Sequence, residues 1–241
     1  MSNYDLTRFE KGCRDLGIEL SEFQKGQFIR YYEYLIEKNK VMNLTAITEF
    51  DDVIEKHFLD SLSCAGHFDI NSTRKVIDIG SGAGFPGIPL KIVYPELEFC
   101  LLDSLQKRIR FLEEVFDLLG LKGIIAVHGR AEEFANKKDY RESFDLCVSR
   151  AVSNLATLSE YCLPFVKVHG KFIAYKSGKA NEEIKESEKA IKVLGGKIET
   201  TSYFTLPGTD IERDLIIIEK TQKTPTKYPR KAGTPAKEPI K

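Results

Sequence analysis

The chain carries no net charge: 36 Lys and Arg balance 36 Asp and Glu over 241 residues. Bulk electrostatics therefore selects no polyanionic partner, and any nucleic-acid surface must be a local patch. No apolar run approaches the ~20 residues that a membrane helix needs. The N-terminus lacks the apolar segment of a signal peptide, so a cytoplasmic protein without membrane attachment is expected. Cysteine is scarce. Cys13, Cys64, Cys100, Cys147 and Cys162 form no C-x-x-C pair, which argues against a disulfide framework or a zinc site and suits a reducing compartment. Cys100 and Cys147 sit within apolar runs and read as small buried hydrophobes. His57, His67, His128 and His169 lack metal-ligand spacing, and no metal is expected. There is neither a Ser-His-Asp set nor a Walker loop.

What is present is ordinary for a globular protein, with 42% hydrophobic and 30% charged residues. The length suffices for one sizeable core plus an extension. Residues 1–70 read as a helical extension. Phe23, Phe28, Tyr31, Tyr32, Leu35 and Ile36 recur at helical spacing and predict a buried stripe. A second helix is expected from Asp51 to Phe68, with Val53, Ile54, Phe58 and Leu62 on one side. From Arg74 the period changes. Seven β-rich runs follow: Val76–Ile79, Glu98–Leu102, Ile124–His128, Phe144–Val148, Lys171–Tyr175, Ile198–Phe204 and Leu215–Glu219. A helix between the second and third turns Ile109, Leu112, Val115, Phe116 and Leu119 inward and stops at Gly120. A Glu/Lys-rich helix spans about 181–194 and ends at Gly195-Gly196. Alternating strands and helices predict a parallel α/β sheet covered on both faces. The last two strands are joined too closely for a crossover and should form an antiparallel hairpin. Residues 71–220 thus read as one α/β domain.

Residues 221–241 differ, with six basic residues, four prolines and one acid. Such a tail reads either as solvated chain or as an arm that lies on phosphates.

The densest signal is Val76-Ile77-Asp78-Ile79-Gly80-Ser81-Gly82-Ala83-Gly84-Phe85-Pro86-Gly87. An apolar run closes on an acid, and three glycines follow at alternate positions. Glycine tolerates φ > 0 and lets a ligand lie against bare backbone. The dinucleotide pattern G-x-G-x-x-G would need glycine at position 85, which is Phe85. Asp-x-Gly-x-Gly-x-Gly instead suits S-adenosylmethionine, which has no pyrophosphate and carries an amino-acid tail. Asp78 can serve its ammonium, directly or through water. Asp103, closing the next apolar run, can accept hydrogen bonds from both ribose hydroxyls. Ligands of open α/β sheets lie beyond the C-terminal strand ends. There, backbone groups of Ala131 and the side chain of Glu132 can read an adenine edge, although Glu132 also suits a plain helix N-terminus. Arg150 can hold the ligand or a target phosphate, and Lys176-Ser177-Gly178-Lys179 forms a basic lip.

Position 149 is serine and no Pro-Cys dipeptide occurs, so the cysteine chemistry of pyrimidine C5 methylation is missing. The Asn/Asp-Pro-Pro-aromatic loop of amine methylation is missing too. Guanine N7 carries a free lone pair and needs no base, only alignment and electrostatics. The absence of a catalytic acid or base agrees with that target, leaving Arg150 a positioning role.

The string Asp78-Ile79-Gly80-Ser81-Gly82-Ala83-Gly84-Phe85-Pro86-Gly87-Ile88-Pro89-Leu90 resembles the signature of the bacterial small-subunit rRNA guanine-N7 methyltransferases, also called glucose-inhibited division protein B. Leu102-Asp103-Ser104, Arg130-Ala131-Glu132, Ser149-Arg150-Ala151, Asn43-Leu44-Thr45, His57-Phe58-Leu59-Asp60-Ser61 and Tyr228-Pro229-Arg230-Lys231 continue the likeness over nearly the whole chain. The resemblance implies a class I, Rossmann-like methyltransferase whose mostly parallel seven-stranded sheet ends in an antiparallel hairpin. It implies methylation at N7 of one guanine in the 530-loop of 16S rRNA, free or in the 30S subunit or its precursor. Cofactor contacts are implied at Gly80, Phe85, Ala131, Glu132 and Arg150. The resemblance moves the tail, with Arg230 and Lys231, toward an RNA arm, and raises Asn43, His57, Arg150 and Lys176 as RNA contacts. A monomer is expected.

Overall fold

The computed structural model describes residues 4–150, 153–177 and 180–241. The chain begins with helices α1 (Thr7–Asp15) and α2 (Glu22–Met42). Ser21 starts α2 with a reciprocal capping box: its hydroxyl accepts from the Gln24 N–H, and the Gln24 side chain accepts from the Ser21 N–H. Asn43 ends it in the left-handed conformation at φ 52°. Next come α3 (Phe50–Val53), a π-helical turn (Ile54–Leu59) and α4 (Asp60–Leu62), which run on as one helical segment. The helix expected to reach Phe68 stops at Leu62, and a short 3₁₀ turn follows. The extra residue of a π-turn re-aims side chains, a device common near functional sites.

The sheet comprises β1 (Lys75–Ile79), β2 (Glu98–Asp103), β3 (Ile124–His128), β4 (Phe144–Arg150), β5 (Val166–Lys176), β6 (Gly196–Thr205) and β7 (Glu212–Lys220). Helices α5 (Gly87–Val93), α6 (Gln106–Leu119), α7 (Ala131–Phe134), α8 (Leu155–Cys162) and α9 (Ala180–Val193) connect the strands, and α10 (Thr234–Lys237) lies in the tail. Strand order is β3-β2-β1-β4-β5-β7-β6. The first five strands pair in parallel, and β7 inserts antiparallel between β5 and β6. All seven expected strands form, and the last two make the anticipated hairpin. Order reverses between β1 and β4, and the crevice at such a reversal is where open α/β sheets bind ligands.

The N-terminal helices build no core of their own. Phe28, Tyr31, Phe58 and Leu62 belong to one buried cluster with Val76, Ile88, Leu101 and Val148 on one face of the sheet. The opposite face buries Ile77, Cys147, Leu158 and Phe172. Phe23 departs from the expected stripe: it is 67% exposed at the start of α2, one turn before the buried face at Gln27 and Phe28 meets the core. All five cysteines are free and buried.

The tail is neither solvated chain nor free arm. Arg141 donates to the carbonyl oxygens of Thr224 and Tyr228, and Arg230 docks on the buried carboxylate of Glu160. A buried carboxylate demands a partner, and the tail supplies it. Pro229 and Pro235 are buried and Arg230 is paired, while the tail's five lysines stay exposed.

Candidate functional site

A cavity of about 320 Å³ opens where β1, β2 and β3 end. Gly80, Asp103, Ala131 and Glu132 line it, four of the residues expected from sequence, together with Ser104, Arg108, Gly129, Arg130 and Tyr161. Asp103 closes β2 and is buried. Its Oδ2 accepts from the Gly82 N–H at 2.9 Å and from Arg108 at 3.2 Å, and its Oδ1 accepts from the Leu105 N–H at 2.9 Å. These donors hold the carboxylate at the cavity wall. Glu132 begins the second position of α7, and its Oε1 accepts from the Gly233 N–H at 2.9 Å.

Asp78 lies beneath the glycine loop and is fully buried. Its Oδ2 accepts from the Gly87 N–H at 2.9 Å, while its Oδ1 has no hydrogen-bond partner among the described residues. Burial raises its pKa from 3.8 to about 7, against the opposing pull of the Gly87 N–H and of Arg150. A buried carboxylate oxygen without a donor suits a cation presented from the loop. Gly80 and Gly82 take φ 74° and 60° on the way there. Gly84 has a different task. At φ 98°, a Cβ would stand 2.8 Å from the Tyr31 hydroxyl. Tyr31, reaching from α2, donates its hydroxyl to the Ala83 carbonyl. The N-terminal helices thus brace the glycine loop from behind.

Phe85 and Arg150 do not line this cavity. They join a second cluster on the α3–α4 segment. The Phe85 ring stacks on His57 at 4.6 Å between centroids, and the Arg150 guanidinium lies 5.1 Å from its centre. Arg150 donates to Asp60 Oδ2 at 2.7 Å, and Arg213 from β7 donates to Asp60 Oδ1 at 2.8 Å. His57 contacts the Thr45 hydroxyl through Nε2 at 2.8 Å. Burial, helped by Arg150, lowers the His57 pKa from 6.5 to about 4, so the ring is neutral at physiological pH. The π-turn and the start of α4 place His57 and Asp60 against Arg150.

The proposed RNA contacts are scattered. Asn43 is exposed at the end of α2. Lys176 is engaged by Glu183 at 2.7 Å and by the Ser153 carbonyl at 2.6 Å. Arg230 is held by Glu160, whereas Lys231 is exposed. Ala151, Gly178 and Lys179 lie outside the described residues. Sequence reasoning missed Tyr161, Arg108, Asp60 and Arg213. Asp60 stood in a quoted motif without a role. Nothing local marks Tyr161 or Arg213, which arrive from distant elements.

The donors and acceptors fit an S-adenosyl group. Asp78 offers an unpartnered anionic oxygen for an ammonium, Asp103 a fixed carboxylate for vicinal hydroxyls, and the α7 N-terminus with Glu132 a polar edge for a purine. Sheet order, glycine loop and the two strand-end acids together define a class I S-adenosylmethionine-dependent methyltransferase. Solved structures agree on the fold. NSun6 from Pyrococcus horikoshii aligns with a TM-score of 0.56 at 13% identity, covering 75% of this chain and 57% of that one. The M. jannaschii TYW2 structure, a complex with AdoMet, aligns at 0.54 with 16% identity, covering 73% and 79%.

The family model for rRNA small subunit methyltransferase G matches residues 24–214, and the chain belongs to that family. Ribosomal RNA small subunit methyltransferase G of Lachnoclostridium phytofermentans is 56% identical over 236 residues, 98% of each chain. Its counterpart in Geobacillus thermodenitrificans is 51% identical over 236 residues, 98% of this chain and 99% of that one.

Proposed function

We propose that this protein transfers the methyl group of S-adenosylmethionine to N7 of one guanine in the 530-loop of 16S rRNA, in the cytoplasm. The observation that carries the reading is the cavity at the ends of β1–β3 with Asp103 fixed at its wall, beside a glycine loop that covers the unpartnered Asp78 oxygen, in a chain of this family. The bound cofactor would supply an electrophilic methyl on a sulfonium. Asp78 takes its ammonium, Asp103 its ribose, and Ala131 and Glu132 its adenine.

The rest of the site suits an attacking atom that brings its own lone pair. His57 is neutral but already bonded to Thr45, and Asp60 is saturated by two arginines. The cysteines are buried, and burial pushes the Cys13, Cys64 and Cys100 thiols up to about 12. No thiol is exposed for covalent catalysis among the described residues. Guanine N7 needs neither a base nor a nucleophile from the enzyme, so alignment carries the rate. Arg150, 14% exposed at its side chain, and the exposed Asn43 and Lys231 are the groups proposed to meet RNA.

The test is mass spectrometry of 16S rRNA from a strain lacking the gene. Loss of one 7-methylguanosine from the 530-loop, restored by the wild-type gene, is expected. Unchanged 7-methylguanosine content would refute the assignment. Labelled donor with free 16S rRNA, 30S subunits and precursor particles in parallel would identify the true substrate.

A further inference from the structure

The tail supplies no reacting group, yet it bonds a residue that lines the donor cavity. Glu132 is only 6% exposed, and what it exposes lines the cavity. Its Oε1 is taken by the Gly233 N–H at 2.9 Å, while its Oε2 makes no hydrogen bond among the described residues. Two anchors on α8 keep Gly233 in place. Glu160 is wholly buried and receives the Arg230 backbone N–H at 2.8 Å, Nε at 3.0 Å and Nη2 at 2.7 Å. The Thr157 hydroxyl donates to the Pro235 carbonyl at 3.0 Å. The same helix presents Tyr161 to the cavity.

A nearly buried carboxylate is costly unless its oxygens are satisfied. Here one oxygen is satisfied by the tail, which limits the directions open to the other. An acceptor held at the cavity wall favours a ligand that presents an N–H₂ group. A ligand presenting a carbonyl oxygen there would set lone pair against lone pair.

We propose that residues 230–235 are a positioning clasp, through which Arg230 and Gly233 orient Glu132 so that the cavity selects a 6-aminopurine nucleoside over a 6-oxopurine one. The proposal rests on the donor-site reading of the cavity. It makes Arg230 a positioning residue rather than an RNA contact, because Glu160 occupies its guanidinium.

The test is calorimetry on the full-length protein with S-adenosylhomocysteine and its 6-oxo counterpart, S-inosylhomocysteine. The wild type should prefer the amino compound by about tenfold or more, the discrimination expected of a hydrogen bond to a buried charged acceptor. Glu160→Met with Arg230→Met removes the anchor without stranding a buried charge. An amide-to-ester replacement at Gly233 removes only the N–H. Both proteins, checked for native circular dichroism, should lose most of the preference by weakening binding of the amino compound alone. Donor KM should rise while kcat at saturating donor holds. Folded variants that keep the wild-type preference would overturn the clasp. A wild type that binds neither nucleoside would overturn the donor-site reading itself, and the clasp with it.

Discussion

Replacing Asp78 with Asn tests the donor site and the physics of its burial together. The side chain is fully buried, with one oxygen on the Gly87 N–H and the other unpartnered. Its pKa stands at about 7 instead of 3.8. A folded-state pKa raised above the unfolded value favours folding while the group is protonated. That contribution is complete below pH ~3.8 and is lost as pH rises through about 7. The shift of about three pH units corresponds to roughly 4 kcal/mol as an upper bound for the ionised group in the ligand-free fold. Asn is neutral throughout and keeps an oxygen for Gly87. Urea unfolding of both proteins should therefore show Asp78→Asn gaining about 2–4 kcal/mol relative to wild type between pH 5 and pH 8. Binding should move the opposite way. Wild-type affinity for S-adenosylhomocysteine should strengthen as pH rises through about 7, because the ligand's ammonium meets a carboxylate. The Asn variant should bind weakly with a flat profile. A stability difference independent of pH would refute the burial argument, and equal affinities at pH 8 would refute the ammonium role.

Three further outcomes follow from the geometry. Asp103→Ala should lose about 2–4 kcal/mol of S-adenosylhomocysteine binding in calorimetry, since a charged acceptor for two hydroxyls disappears. Asp60→Asn leaves Arg150 and Arg213 facing each other without their shared carboxylate. Denaturant melts should register a loss of about 3–5 kcal/mol, the usual cost of breaking a buried ion cluster from one side, and a loss below 1 kcal/mol would show that solvent already screens the arginines. Gly84→Ala combines positive φ with a Cβ 2.8 Å from the Tyr31 hydroxyl, and thermal unfolding should reveal at least about 2 kcal/mol of destabilisation.

Much of this was legible in the chain. The central parallel strands show because a fully buried strand must be a short apolar run, and Val76–Ile79 or Phe99–Leu102 can be little else. The α6 helix shows because its inward residues repeat at 3.6 and Gly120 can adopt the left-handed stop. Asp78, Gly80 and Asp103 show because a glycine turn between two strand-end acids is a local pattern, and local patterns survive without a fold. Less legible were the elements whose state depends on distant partners. Phe23 obeys the helical period yet lies outside the contact, since periodicity states which side is apolar and not where the covering surface ends. The tail looked soluble because its charges were counted without Glu160, Glu132 and Arg141, which absorb its polar groups from 70 or more residues away.

By itself, then, the order of residues determined the seven strands, the hairpin at the end of the sheet and the family, all of which rest on short-range pattern. Only the tertiary structure separated the site residues into two groups. Gly80, Asp103, Ala131 and Glu132 meet at the cavity, while Phe85 and Arg150 turn to His57 and Asp60 on the N-terminal helices. The physical reason is that a side chain's surroundings come from strand order and helix packing. These bring β7, the π-turn and the tail to places that no spacing along the chain encodes.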